Sequence, residues 1–125
     1  KARVYALARE LGPAIPEGVI ARKPTAELRP GQTDEASLLP YALLDPILGA
    51  FVETRRPMEC LEDDLAEILE GPALEQARAA VPRILRLLRI SEFKRRQAPV
   101  GIRVTQRGLG KDWRYPITNR YRDPY

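Results

Sequence analysis

Proline is the residue that most constrains how this chain can fold. There are 12 prolines among 125 residues, roughly double the usual share of about 5%. Because proline lacks a backbone donor and clashes with the preceding helical turn, each one tends to end, bend or start a regular element. We therefore expect short helices separated by a good deal of irregular chain.

The composition is that of a globular domain, and it excludes several kinds of chemistry. Hydrophobic residues make up 44% of the chain and charged residues 30%, which suits one domain or a piece of a larger protein. Histidine is absent and Cys60 is the single cysteine. This excludes an internal disulfide, a Cys/His zinc site and a histidine base from this chain. Because no apolar run reaches about 20 residues, we expect a soluble, cytoplasmic protein with no membrane partner.

Apolar residues at helical spacing predict a mainly α fold. The spacing indicates helices over about residues 2–11, 41–53, 61–70 and 73–96. Pro46 falls inside one of these helices and should bend or restart it, with Asp45 as a candidate local cap. Pro82 falls inside another and should bend or interrupt its first half. The first helix looks like the end of a longer one, so we expect a C-terminal fragment of a larger protein.

The pattern changes after residue 97. Residues 102–105 alternate like a short strand, and the aromatic but aperiodic stretch 98–125 reads as an extended tail on the surface of the domain. Near the other end, Val19 and Ile20 fit either a short strand or a helical turn, and the sequence does not separate the two.

Residues 22–40 form the first candidate binding segment. They read RKPTAELRPGQTDEASLLP, with both signs of charge, neutral hydrogen-bonding groups, two internal prolines and a glycine. Long polar segments of this kind in compact domains are usually functional or disordered. The residue types are those of a loop that wraps a polar ligand.

The second candidate is the charged cluster at residues 92–97, which reads EFKRRQ. Cations here complement the negative end of the preceding helix, so a structural role is available alongside anion binding. Arg83, Arg86 and Arg89 recur at intervals of three on one face, where an exposed polar face explains them. With a net charge of +4, these groups leave open a basic, non-catalytic helical module that binds RNA or another polyanion.

Two runs resemble the synthetase domain of NAD synthetases, above all the glutamine-dependent bacterial type. The run KPTAELRPGQTDEASLLPYALLD at residues 23–45 is similar to a loop and helix of that domain. The run EFKRRQAPVGIRVT at residues 92–105, with Pro116 and Ile117 near the end, is similar to its C-terminal motif. Phe93 stands where ammonia-dependent relatives have histidine, which favours the glutamine-dependent type.

The resemblance implies a fold and a reaction. The chain would be the helical C-terminal portion of a Rossmann-like α/β synthetase domain of the adenine nucleotide alpha hydrolase-like kind. Such enzymes adenylate deamido-NAD with ATP and Mg²⁺, and ammonia then displaces AMP to leave NAD. The partners implied are the rest of the synthetase domain, an N-terminal glutaminase domain and further copies of the enzyme, with no role for nucleic acid.

The resemblance also implies roles for single residues. Thr25 matches a threonine that contacts ATP, and Lys94 matches a lysine that binds deamido-NAD. Glu27, Arg29, Asp34 and Glu35 occupy matching loop positions and are assigned only to loop closure. No residue here matches a catalytic group or a metal ligand.

The phosphate-gripping motif of the family is absent from these residues. We therefore expect the 125-residue chain alone to be inactive and to hold no cofactor. We also expect the segment 22–40, without its substrates, to be mobile or to be held by contacts unrelated to catalysis.

Overall fold

Helices dominate the computed structural model, which describes residues 1–54, 58–110 and 112–118. Across these ranges no β-strand forms, and Leu109 and Trp113 make an isolated bridge. The prediction of a mainly α chain is confirmed. In chain order the described α-helices are α1 (Ala2–Glu10), α2 (Glu17–Ala21), α3 (Asp34–Ser37), α4 (Tyr41–Glu53), α5 (Leu61–Ala66), α6 (Gly71–Ile90) and α7 (Glu92–Arg96).

The chain divides into two units, Lys1–Asp45 and Pro46–Tyr125. In the first unit, α1 and α2 are in contact, and α2 resolves the ambiguity at Val19 and Ile20 in favour of a helical turn. α1 buries none of its residues, and its apolar side chains Val4 and Leu7 are exposed. Burial in this unit is concentrated at Leu43 and Leu44, in the first turn of α4.

α4 runs continuously from Tyr41 to Glu53 with Pro46 inside it. Of the two expectations for Pro46, a bend or a restart, the restart with Asp45 as a cap is wrong, because the helix is continuous through both residues. The Asp45 carboxylate instead accepts a hydrogen bond from the backbone N–H of Ala2. A proline costs the helix one donor and crowds one carbonyl, and burial of apolar groups such as Ile47 at 0% exposure offsets that cost.

In the second unit, α5 and α6 pack against each other. Leu65 of α5 and Ala77 of α6 are completely buried, and Ile84, Leu85 and Leu88 continue the buried face of α6. These positions recur every three or four residues, as expected for a helix with one apolar face. Pro82 lies inside α6 without ending it and is exposed.

The single helix predicted over about 73–96 is two helices in the structure. α6 begins at Gly71 and ends at Ile90, and α7 follows after Ser91. The backbone at Ser91 has φ −90° and ψ 8°, outside the α-helical region. Its carbonyl accepts hydrogen bonds from the N–H groups of Lys94 and Arg95, so a new short helix starts at this residue.

The tail is extended in only part of its length. Residues 98–104 are irregular and exposed, so the predicted strand at 102–105 is wrong. The chain then turns back, and the Trp113 ring stacks on Phe51 of α4 with centroids 5.1 Å apart. The Trp113 indole N–H donates to the Val52 carbonyl at 2.9 Å. The end of the predicted tail, residues 119–125, lies outside the described residues.

The search of the described helices for a membrane span finds none, because no helix combines enough length with enough apolar character.

Candidate functional site

The polar segment in the first unit forms a closed loop. The N–H of Asp34 donates to the carbonyl of Pro24 at 3.0 Å, which joins the two ends of residues 24–34. Across the loop, the Leu28 N–H donates to the Gln32 side-chain oxygen at 3.1 Å, and the Gln32 N–H donates to the Arg29 carbonyl at 3.2 Å. The segment is therefore held by its own hydrogen bonds.

Thr25 and Glu27 make a tight turn at one side of this loop. The Thr25 hydroxyl oxygen accepts the Glu27 N–H at 3.1 Å, a common local bond of threonine in turns. Glu27 has φ +54°, which costs a residue with a side chain about 1 kcal/mol or more. Its carboxylate forms an ion pair with the Arg22 guanidinium on the exposed surface.

Thr25, Glu27 and Arg29 line one shallow, open concavity of about 370 Å³. Leu28 at its rim is 81% exposed, and the Arg29 side chain makes no ion pair with any residue that the structure describes. The complete lining is Thr25, Glu27, Leu28, Arg29, Pro30, Gly31 and Gln32. A hydroxyl, a guanidinium and an amide on one concave surface can together bind a polar, anionic group.

Asp34 and Glu35 lie at the start of α3, inside the segment predicted to be loop. Thr33 caps this helix, because its hydroxyl oxygen accepts the Ala36 N–H at 3.3 Å, and the two carboxylates suit the positive end of the helix. Both carboxylates also bond to Tyr41. Its hydroxyl donates to Asp34 at 3.1 Å, and its N–H donates to Glu35 at 3.3 Å.

These contacts change the acidity of Tyr41. Partial burial, together with the hydrogen bond to Asp34, raises the pKa of the Tyr41 phenol to about 12. Glu35 additionally lies 3.7 Å from the Lys23 ammonium nitrogen. Asp34 and Glu35 therefore connect the loop to the start of α4 in this structure.

The charged cluster in the second unit is organised around a buried carboxylate. Glu92 is 3% exposed. One of its oxygens accepts from Arg95 at 2.8 Å and the other from Arg96 at 3.0 Å. Burial alone would raise the pKa of Glu92, but hydrogen bonds from Arg96, Arg95 and the Tyr115 backbone outweigh it, and the pKa is lowered.

Lys94 differs from Arg95 and Arg96 in that it is not bonded to Glu92. It is exposed, and its ammonium nitrogen lies 5.9 Å from the centre of the Phe93 ring. No described carboxylate pairs with it. Of the three adjacent cations on α7, two are bonded to Glu92 and one extends to the surface, where it is available to an anion from outside.

The contacts of the arginines weaken the alternative that this chain is a polyanion-binding module. Arg95 and Arg96 are bonded to Glu92, and Arg89 hydrogen-bonds to Tyr115. The exposed face expected for Arg83, Arg86 and Arg89 is also only partly present, because Arg89 is half-buried.

Sequence reasoning did not identify Glu92 as the centre of its cluster. Its spacing to Arg95 and Arg96 is i, i+3 and i, i+4, which places all three on one helix face, so a signal was available. The contacts of Tyr115 with this cluster carried no such signal, because the residues are distant in sequence.

Comparison with known proteins places the chain in a family. The family model described as NAD synthase matches residues 1–98. The chain is similar to proteins named glutamine-dependent NAD(+) synthetase from Aquifex aeolicus (42% identity, 97% of this chain and 20% of the relative), Thermotoga maritima (42%, 88% and 17%) and Xylella fastidiosa strain Temecula1 (46%, 87% and 18%). It thus spans about a fifth of the length of these curated relatives.

The family model covers more than half of the chain and includes both candidate segments up to residue 98. The polyanion-binding alternative is not favoured. This chain belongs to the NAD synthase family.

Proposed function

We propose that the whole protein is a glutamine-dependent NAD⁺ synthetase and that this chain is the C-terminal part of its synthetase domain. In the reaction, a carboxylate oxygen of deamido-NAD attacks the α-phosphorus of ATP and pyrophosphate leaves. Ammonia derived from glutamine then attacks the acyl carbon, and AMP leaves as the amide of NAD forms. The family match and the printed names of the relatives support this proposal.

Lys94 is the residue proposed to bind deamido-NAD. The observation that carries this role is the contrast within the cluster: Glu92 binds Arg95 and Arg96, while the exposed Lys94 pairs with no carboxylate among the described residues. An ammonium is a compact point charge that suits a phosphate oxygen of a dinucleotide. Lys94 would thus hold the substrate without taking part in bond making.

Thr25 is proposed to contact ATP. Its hydroxyl oxygen accepts the Glu27 N–H, which leaves the hydroxyl hydrogen able to donate to a nucleotide oxygen. Arg29 shares the same concavity and would add a positive charge beside the phosphates. Preorganised donors of this kind stabilise the charge that develops during adenylation.

Glu27, Arg29, Asp34 and Glu35 are proposed to serve loop closure. The Glu27 carboxylate pairs with Arg22, and the carboxylates of Asp34 and Glu35 bond to Tyr41. The exposed ion pair of Glu27 and Arg22 is worth about 0–1 kcal/mol, and each hydrogen bond of Tyr41 about 1 kcal/mol. They can therefore be exchanged for substrate contacts when the loop closes and excludes water from the acyl-adenylate.

Mg²⁺ would enter the reaction with ATP, and none of the described residues is proposed as its ligand. Among residues 1–54, 58–110 and 112–118, no group of three acidic, histidine or cysteine side chains is arranged to hold a metal ion. The loop carboxylates are bonded to protein groups.

The remaining partners are proposals of the same kind. They are ATP and deamido-NAD as substrates, the rest of the synthetase domain and a glutaminase domain in the same protein. The whole enzyme is proposed to act in the cytoplasm as a homo-oligomer. The chain alone, without the phosphate-gripping motif, is proposed to be inactive and to hold no cofactor.

Steady-state kinetics of the full-length protein test the proposal. Lys94→Ala should raise KM for deamido-NAD about tenfold or more, as loss of one charge-assisted contact predicts, and should change KM for ATP much less. Arg86→Ala, which removes another exposed cation of the second unit, is the matched control and should change neither constant. An equal rise in both constants for Lys94→Ala, or no rise, contradicts the role of Lys94.

A further inference from the structure

Glu92 is a buried carboxylate that lies among cations of its own helix. It is a carboxylate at 3% exposure, and removing an ion from water is costly unless every oxygen is compensated. Here each oxygen has its own arginine, Arg95 at 2.8 Å and Arg96 at 3.0 Å. A charged group held in this way fixes the positions of its partners.

The same cluster is bonded to the tail. The second terminal nitrogen of Arg96 donates to the Tyr115 carbonyl at 3.2 Å, and the Tyr115 backbone helps to lower the pKa of Glu92. Tyr115 in turn lies beside Trp113, with ring centroids 6.3 Å apart. The cluster therefore joins α7 to the part of the tail that packs on α4.

α7 depends on these contacts for its orientation. It contains five residues, and a helix this short is not stable through its own hydrogen bonds. The residue before it, Ser91, is not helical, so α6 does not dictate the direction of α7 by simple continuation. The hydrogen bond from Arg96 to the Tyr115 carbonyl supplies a constraint from outside the helix, and the carboxylate of Glu92 holds the Arg96 guanidinium in place for that bond.

We propose that Glu92 is a positioning residue for the dinucleotide substrate: by holding the Arg96 guanidinium against the tail, it fixes α7 so that the Lys94 ammonium meets an anionic group of deamido-NAD. This inference rests on the proposed role of Lys94. Glu92 itself does not touch substrate. It also keeps two guanidinium groups occupied, so that they do not compete with Lys94 for the phosphate.

The test is a double-mutant cycle in the full-length protein, with KM measured separately for deamido-NAD and ATP. Glu92→Gln keeps the shape of the side chain and removes its charge. It should raise KM for deamido-NAD about tenfold and leave KM for ATP nearly unchanged. In the Lys94→Ala background, Glu92→Gln should add little, because residues that act through one contact are not additive.

Glu75→Gln is the matched control. Glu75 also pairs with an arginine three residues later, Arg78 at 3.4 Å, but its side chain is 75% exposed. Its replacement should leave both KM values unchanged. Should Glu92→Gln fail to fold, Arg96→Ala replaces it, since this side chain is 48% exposed and its loss breaks the bonds to both Glu92 and Tyr115.

The outcomes separate this inference from the function on which it rests. If Lys94→Ala does not change KM for deamido-NAD, the proposed role of Lys94 fails first. If Lys94→Ala raises KM for deamido-NAD but Glu92→Gln and Arg96→Ala do not, only the positioning role of Glu92 is overturned. Equal rises for both substrates would also overturn it, because they indicate a general loss of structure. Full additivity with Lys94→Ala would overturn it as well, because additive effects mean that Glu92 acts independently of Lys94.

Discussion

Trp113 provides a quantitative prediction about how the tail is held. It is the single tryptophan of the chain, and it makes two contacts with α4 and one with Arg107 of the tail. Its ring stacks on Phe51 at 5.1 Å, its N–H donates to the Val52 carbonyl at 2.9 Å, and the Arg107 guanidinium lies 4.7 Å from its centre. Trp113→Ala removes all three contacts.

The size of the effect follows from these contacts. An aromatic pair is worth about 0.5–1.5 kcal/mol beyond burial, a hydrogen bond about 1 kcal/mol, and an exposed cation–π contact about 0.5–1 kcal/mol. Full removal of a buried tryptophan costs about 3–5 kcal/mol, and Trp113 is only half-buried. We expect Trp113→Ala to lower the free energy of unfolding by about 3 kcal/mol.

Urea denaturation of the 125-residue chain, followed by far-UV circular dichroism, measures this loss. With a slope of about 1–3 kcal/mol per molar urea, the midpoint should fall by about 1–3 M. Trp113→Phe keeps an aromatic ring and loses the N–H donor, so it should cost about 1 kcal/mol.

Ile117→Ala is the control for the same tail. Ile117 is 56% exposed, and substitutions at such positions usually change stability by about 0.5 kcal/mol or less. If Trp113→Ala costs no more than Ile117→Ala, the tail is not held by the indole ring and the reasoning from these contacts is refuted.

Two further predictions concern Tyr41 and Pro82. Because the pKa of Tyr41 is raised to about 12 from about 10 in an unfolded chain, its contribution to stability is complete below pH about 10 and is lost as the pH rises through about 12. A spectrophotometric titration should show one phenol near pH 12 that is missing in Tyr41→Phe; a phenol lost near pH 10 instead would contradict this. Pro82→Ala restores a backbone donor inside α6 and should raise the free energy of unfolding by about 1–3 kcal/mol in the same urea assay, whereas an unchanged or lower value would mean that packing of α6 requires the proline.

The helices were the part of the fold most accessible to sequence reasoning. Apolar spacing predicts a helix over 41–53, and the structure has α4 at Tyr41–Glu53. The pattern succeeds because it reflects side chains three and four residues apart, which meet on one face of any helix. It failed at Ser91, where α6 ends within a continuous apolar and charged pattern.

The tail was predicted less well for a physical reason. Its structure depends on the Trp113 to Val52 hydrogen bond, which spans 61 positions in the sequence, and no local pattern reports such a partner. The expected strand at 102–105 failed in the same way. Alternation indicates a strand only when another strand is present to accept its hydrogen bonds, and none forms among the described residues.

The sequence predicted some features of the candidate site and missed others for the same reason. Residue types and their order were enough to single out the loop with Thr25 and the cluster with Lys94, because the matching runs are continuous in sequence. Residue type did not determine which cations are available to a ligand, because Lys94, Arg95 and Arg96 carry the same charge. The positions of Glu92 and Tyr115 decide which cation is available. The buried carboxylate of Glu92 binds the two arginines that reach it, and Lys94 is left at the surface.

The sequence by itself determined the helical character of the chain, its family and the two segments that bear candidate binding residues. These properties depend on neighbours within a few positions or on continuous motifs. The tertiary structure alone decided that the tail returns to α4 through Trp113 and to α7 through Tyr115. These properties depend on contacts between residues far apart in the chain, where burial sets the strength of each charge and hydrogen bond.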